Sequence, residues 1–124
     1  MVLTALVVDD SMLIRHTVCR FFEGKGFRVE AATNGSDALE LLDKLRPDVI
    51  VTDLQMPKMD GLALIRELKA NPQTAAIPVV ILARKQSDDM ALAESARYII
   101  FKDIDIIEQL ERALDCVLPA GKTL

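Results

Sequence analysis

The chain has 124 residues, of which 51% are hydrophobic and 27% charged, and its formal net charge is −4. This length predicts a single domain over residues 1–124, with no effector domain. The acidic balance, with no cluster of Lys and Arg, argues against direct nucleic-acid binding. The apolar N-terminal run has no basic leader and ends on acids, so we expect no signal peptide, no membrane insertion and a cytoplasmic location.

The first half of the chain alternates strand and helix patterns. Apolar residues 3–8 predict a first strand. Apolar residues then recur at helical spacing, and Asp10 or Ser11 is the predicted N-cap of this first helix. Residues 27–32 alternate in polarity and predict a second strand. Ser36 is the predicted N-cap of the second helix.

The second half continues the alternation. It predicts, in order, a strand that begins with the apolar run 49–51 and ends on Asp53, a helix after Gly61, a strand at 79–83, a short helix at 87–96, a strand at 98–101 and a last helix capped by Asp105. An apolar, β-branched run such as 49–51 is typical of a strand that is buried on both faces of a parallel sheet.

This alternation predicts the α/β class, with one doubly wound sheet of five parallel strands and five helices over its two faces. We expect the strand order 2-1-3-4-5. In that order the carboxyl ends of strands one and three are neighbours, so Asp9, Asp10 and Asp53 converge where ligands bind in open α/β sheets.

Three carboxylates at one sheet edge repel one another unless a cation balances them. Mg²⁺ prefers oxygen ligands and is commonly held by carboxylates together with phosphate oxygens. Lys102, at the end of the fifth strand, supplies a compact positive charge for a phosphoryl oxygen or for Asp53. The set predicts an aspartyl nucleophile, a metal ion and an assisting cation, which are the parts that phosphoryl transfer needs.

Three motifs carry a family resemblance. Asp9-Asp10-Ser11 follows the first strand, Asp53 opens Asp53-Leu54-Gln55-Met56-Pro57-Lys58-Met59-Asp60-Gly61, and Lys102 follows the fifth strand. Together they resemble the CheY-like response regulator receiver domain of two-component signal transduction, over the whole chain. The expected strand order rests on this resemblance as much as on the pattern, since the flavodoxin-like order of that family is 2-1-3-4-5.

The resemblance implies a role for each site residue. Asp53 is the implied phosphoacceptor, taking a phosphoryl group from a phosphohistidine of a partner histidine kinase or phosphotransfer protein. Asp9, Asp10, Asp53 and the backbone carbonyl of Gln55 are the implied Mg²⁺ ligands. Lys102 is implied to contact the acyl phosphate. Such a phosphoprotein is not an enzyme in the ordinary sense, since it catalyses at most its own phosphorylation and dephosphorylation.

Three switch positions depart from the family pattern. The family has a Ser or Thr hydroxyl where this chain has Ala83, which cannot make that hydrogen bond. The aromatic switch position is Ile99, and Tyr98 is expected to face the opposite side of the sheet. A cis proline usually follows the lysine, whereas Asp103 stands here and predicts a trans bond. We therefore expect altered coupling of phosphorylation to an unknown downstream protein partner.

Two other functions agree with part of the sequence. A receiver-like interaction module that works without phosphorylation is favoured by the altered switch positions and disfavoured by the intact acids. An aspartyl-nucleophile phosphatase would need a second acid two positions after the nucleophile, where this chain has Gln55.

Overall fold

Five parallel strands form one sheet. The computed structural model describes residues 2–54, 56, 58–83, 97–102 and 105–117. Its strands are β1 Thr4–Val8, β2 Arg28–Ala32, β3 Val49–Asp53, β4 Val79–Ala83 and β5 Tyr98–Phe101. The strand order is β2-β1-β3-β4-β5, and each neighbouring pair is parallel. The predicted fold class and strand order are confirmed.

Four helices lie within the described ranges. They are α1 Met12–Gly24, α2 Gly35–Leu42, α3 Gly61–Ala70 and α4 Ile106–Val117. The helix predicted at 87–96 falls outside the described residues, so α4 corresponds to the fifth predicted helix. None of the helices in the described ranges combines the length and apolar character that crossing a bilayer requires.

The N-caps of α1 and α2 test the predicted helix starts. Ser11 caps α1 as expected, because its side-chain oxygen accepts a hydrogen bond from the Ile14 N–H at 3.4 Å. The prediction of Ser36 as the cap of α2 was wrong. Asn34 has an extended backbone, and its Oδ1 accepts from the Asp37 N–H at 2.9 Å, which places Ser36 inside the first turn.

The core consists of two apolar clusters, one on each face of the sheet. Side chains of a strand alternate between faces, so Val7 and Val51 pack with α1 and α4, whereas Leu6 and Ile50 pack with α2 and α3. All five residues of β3 are buried. Asp53, at the end of β3, is therefore held by a strand that is packed on both faces.

The connection from β3 to α3 returns tightly to the strand end. The Gly61 N–H donates to the Leu54 carbonyl at 2.9 Å, which brings the start of α3 against the end of β3. Lys58 in this connection has φ of 65°, a left-handed conformation that costs an L-residue about 1–2 kcal/mol. The backbone beside Asp53 is thus fixed by close contacts.

Candidate functional site

Three acids meet at the carboxyl edge of the sheet. Asp9 directly follows β1 and Asp53 is the last residue of β3. These two strands are neighbours, with Val8 opposite Thr52, so the chain itself places the two acids side by side. With Asp10, they offer carboxylate oxygens that all lie within 4.8 Å of one another. The structure brings together the three acids that the sequence predicted to converge.

Lys102 reaches this cluster from the edge of the sheet. It directly follows β5, and its Nζ lies 3.0 Å from Asp9 Oδ2 and 3.1 Å from Asp53 Oδ2. The lysine side chain is 15% exposed, whereas that of Asp9 is fully buried. Attraction between charges is stronger in such a site than at an open surface. One ammonium therefore pairs with two buried carboxylates and offsets one of their two negative charges.

The remaining polar atoms of Asp9 are held by the β1–α1 connection. Its Oδ1 accepts from the Ser11 N–H at 2.8 Å, and its backbone carbonyl accepts from Arg15 Nη1 at 2.9 Å. Sequence reasoning missed this role of Arg15. Among the described residues Asp9 Oδ2 accepts no hydrogen bond of acceptable geometry, although the Lys102 ammonium is near enough for an ion pair.

The acid cluster fits a hard divalent cation. Its donors are all carboxylate oxygens, which Mg²⁺ and Ca²⁺ prefer. Asp9 and Asp53 are buried, whereas Asp10 is exposed and leaves the cluster open to solvent on one side. The buried Asp9 Oδ2, without a hydrogen bond in the described part of the chain, is a suitable ligand atom. Gln55, the fourth predicted ligand, lies outside the described residues.

Two of the three predicted switch positions, Ala83 and Ile99, lie in β4 and β5. Ala83 ends β4, is 3% exposed, and its carbonyl accepts from the Lys102 N–H at 2.8 Å. Ile99 packs against the α2 and α3 face of the sheet, whereas Tyr98 packs against the α1 and α4 face. Tyr98 and Ile99 thus lie on opposite faces of the sheet, as expected. Asp103 lies outside the described residues, and with it the predicted trans bond.

Comparison with known proteins identifies the family. A family model described as the response regulator receiver domain matches residues 5–115. The chain belongs to this family. The chemotaxis response regulator CheY4 of Vibrio cholerae superposes with a TM-score of 0.84 at 29% identity, over 95% of this chain and 100% of that one. Receiver domains interact with histidine kinases or phosphotransfer proteins.

Curated relatives share only the receiver part. The gliding motility regulatory protein of Myxococcus xanthus is 41% identical over 87 residues, which are 70% of this chain and 11% of that protein. The protein-glutamate methylesterase/protein-glutamine glutaminase of Treponema denticola is 45% identical over 80 residues, 63% of this chain and 21% of that protein. The chain thus matches a small fraction of these longer proteins, and their whole-protein activities do not transfer with the match.

Proposed function

We propose that this receiver domain accepts a phosphoryl group on Asp53 from a phosphohistidine of a partner kinase or phosphotransfer protein. The observation that carries this proposal is the Lys102 ammonium, 3.0 Å and 3.1 Å from the two buried carboxylates of a three-acid cluster. An Asp53 oxygen forms the new O–P bond while the P–N bond of the phosphohistidine breaks and the imidazole leaves. Nothing else is consumed.

The site residues divide this work among them. Asp53 is the nucleophile, held at the end of a fully buried strand. Asp9 and Asp10, with Asp53 and the Gln55 backbone carbonyl, would hold Mg²⁺, which supplies charge neutralisation for the transferring group. Lys102 pairs with the Asp53 carboxylate before transfer, and its ammonium can stabilise the negative phosphoryl oxygens after transfer.

Phosphorylation is tested by intact mass. We expect the protein, incubated with Mg²⁺ and acetyl phosphate, to gain the mass of one phosphoryl group. Asp53→Asn and removal of the metal should each abolish the gain. Asp60→Asn is the matched control in the same connection, because Asp60 caps α3 through the Ala63 N–H and Asn caps helices equally well. A gain that survives in Asp53→Asn, or a folded protein with Mg²⁺ that gains nothing, would contradict the proposal.

We further propose that the output of this domain is only weakly coupled to phosphorylation. Ala83 and Ile99 support this view, since a methyl group cannot hydrogen-bond to a phosphoryl oxygen and Ile99 carries no aromatic ring. The same two residues favour the second candidate function, an interaction module that contacts its downstream partner whether or not Asp53 is phosphorylated.

Coupling is tested by restoring the hydroxyl. We expect acetyl phosphate to shift few amide resonances outside the acid cluster in the original protein, and to shift more of β4 and β5 in Ala83→Thr, because the threonine hydroxyl can donate to the phosphoryl group. Backbone NMR spectra with and without phosphodonor measure this, and Ala83→Val controls for the added volume. Extensive shifts along β4 and β5 in the original protein would show that the coupling is intact.

A further inference from the structure

The side chain of Gln109, in the first turn of α4, binds the backbone at the end of β5. Its Oε1 accepts from the Phe101 N–H at 3.0 Å, and its Nε2 donates to the Phe101 carbonyl at 2.8 Å. A single amide thereby satisfies both backbone groups of one residue, as a residue of a neighbouring strand would. This contact lies outside the acid cluster.

The position of β5 explains why these groups are available. β5 is an edge strand that pairs only with β4 among the described strands. The Lys102 N–H points toward β4, since it donates to the Ala83 carbonyl at 2.8 Å. Successive residues of a strand point their backbone groups in opposite directions, so those of Phe101 face the open edge of the sheet. The Gln109 side chain covers that open edge at Phe101, the residue before Lys102.

The same amide also fixes the start of the helix that carries it. Gln109 Nε2 lies within hydrogen-bond distance of the Asp105 carbonyl, at 3.3 Å. The Asp105 carboxylate in turn caps α4 by accepting from the N–H groups of Ile107 and Glu108, at 3.1 Å and 3.3 Å. The Gln109 side chain thus links Phe101, at the end of β5, to Asp105, just before α4.

We propose that Gln109 is a positioning residue for Lys102. By holding Phe101 on the side opposite to β4, it fixes the backbone from which the Lys102 side chain extends to Asp9 and Asp53. The lysine ammonium must meet two carboxylates at 3.0 Å and 3.1 Å, so a small movement of its backbone weakens both contacts. The consequence for phosphorylation rests on the function proposed above, whereas the positioning of the ammonium does not.

Gln109→Leu tests the proposal, because leucine keeps much of the side-chain volume and removes the two hydrogen bonds to Phe101 together with the one to the Asp105 carbonyl. NMR of protein labelled at the lysine side chains, with the Lys102 signal identified by its loss in Lys102→Arg, should show that signal moving toward those of exposed lysines such as Lys69. The rate of Mg²⁺-dependent phosphorylation by acetyl phosphate should fall about tenfold, since a misplacement of about 1 Å can cost a hundredfold and a smaller movement costs less. The signals of the other lysines should not move.

Glu108→Gln is the control on the same turn of α4. It weakens only the exposed pair of Glu108 with Arg112, at 2.7 Å, and should change neither the Lys102 signal nor the rate. Gln109→Glu keeps the length of the side chain but places a carboxylate oxygen against the Phe101 carbonyl, so it should reproduce both changes even if Gln109→Leu folds poorly.

Two results would overturn the proposal. One is a Lys102 signal that stays at its original position in folded Gln109→Leu and Gln109→Glu. The other is an unchanged phosphorylation rate in these variants when the original protein does take up a phosphoryl group. If the original protein takes up none, the proposed function fails, and the lysine signal alone decides the role of Gln109.

Discussion

Gly61→Ala should lower the free energy of unfolding by about 3 kcal/mol, the upper part of the range for overpacking a close-packed site. A Cβ at residue 61 would overlap the Asp53 carbonyl oxygen and lie 2.9 Å from the Leu54 Cα. Both neighbours are backbone atoms, so no flexible side chain can move aside. Either α3 or the end of β3 must shift, and a shift at Asp53 should slow phosphorylation as well.

Urea unfolding and the intact-mass assay measure the two effects. Gly24→Ala is the matched control, since an added Cβ there meets nothing within 4 Å. Gly24 is the last residue of α1, and alanine should leave the stability unchanged or raise it by about 0.5–1 kcal/mol. If the urea midpoint of Gly61→Ala equalled that of the original protein, the close approach of α3 to β3 would not require glycine at residue 61.

The strands could be predicted to within about one residue, because each is an apolar or alternating run whose limits are set by polar or turn-forming residues. β3 and β4 are buried throughout, and the apolar runs 49–51 and 79–83 carry the signal of strands that are covered on both faces. The convergence of Asp9, Asp53 and Lys102 followed from the same logic, since each stands at the carboxyl end of a parallel strand.

The cap of α2 shows where the sequence was insufficient. Asn34 and Ser36 are both good N-cap residues, and local sequence does not choose between them. The choice is made by a distant contact, in which the Gly35 N–H donates to the Met59 carbonyl at 2.9 Å. A Cβ on Gly35 would lie 2.7 Å from that oxygen, so the glycine lets the start of α2 pack against the connection after β3.

Arg15 and Gln109 were missed for a related reason. Each binds backbone atoms with its side chain, Arg15 at the Asp9 carbonyl and Gln109 at Phe101. Backbone groups are present at every residue, so a sequence gives no sign of which one a side chain will reach. Sequence motifs identify residues with charged or nucleophilic side chains at characteristic spacing. The residues that position them can be identified only from their contacts in the structure.

Lys102→Met should lower the free energy of unfolding by about 3 kcal/mol in metal-free protein, since removing one partner of a buried ion pair leaves charge without compensation. Asp9 is 0% exposed and Asp53 7% exposed, so water can solvate little of the negative charge that the ammonium leaves behind.

Lys25→Met is the control. Lys25 also pairs with a carboxylate, that of Glu111 at 2.8 Å, but both side chains are substantially exposed, so its loss should cost less than about 1 kcal/mol.

Mg²⁺ should reverse much of this loss. A divalent cation bound by the acid cluster replaces the missing positive charge, and a ligand that binds only the folded state stabilises it. Lys102→Met should therefore bind Mg²⁺ more tightly than the original protein and gain more stability from it, as measured by urea unfolding at increasing Mg²⁺. Lys25→Met should gain no more than the original protein does. If Mg²⁺ stabilised Lys102→Met no more than the original protein, the ammonium and the metal ion would not share the carboxylates of Asp9 and Asp53.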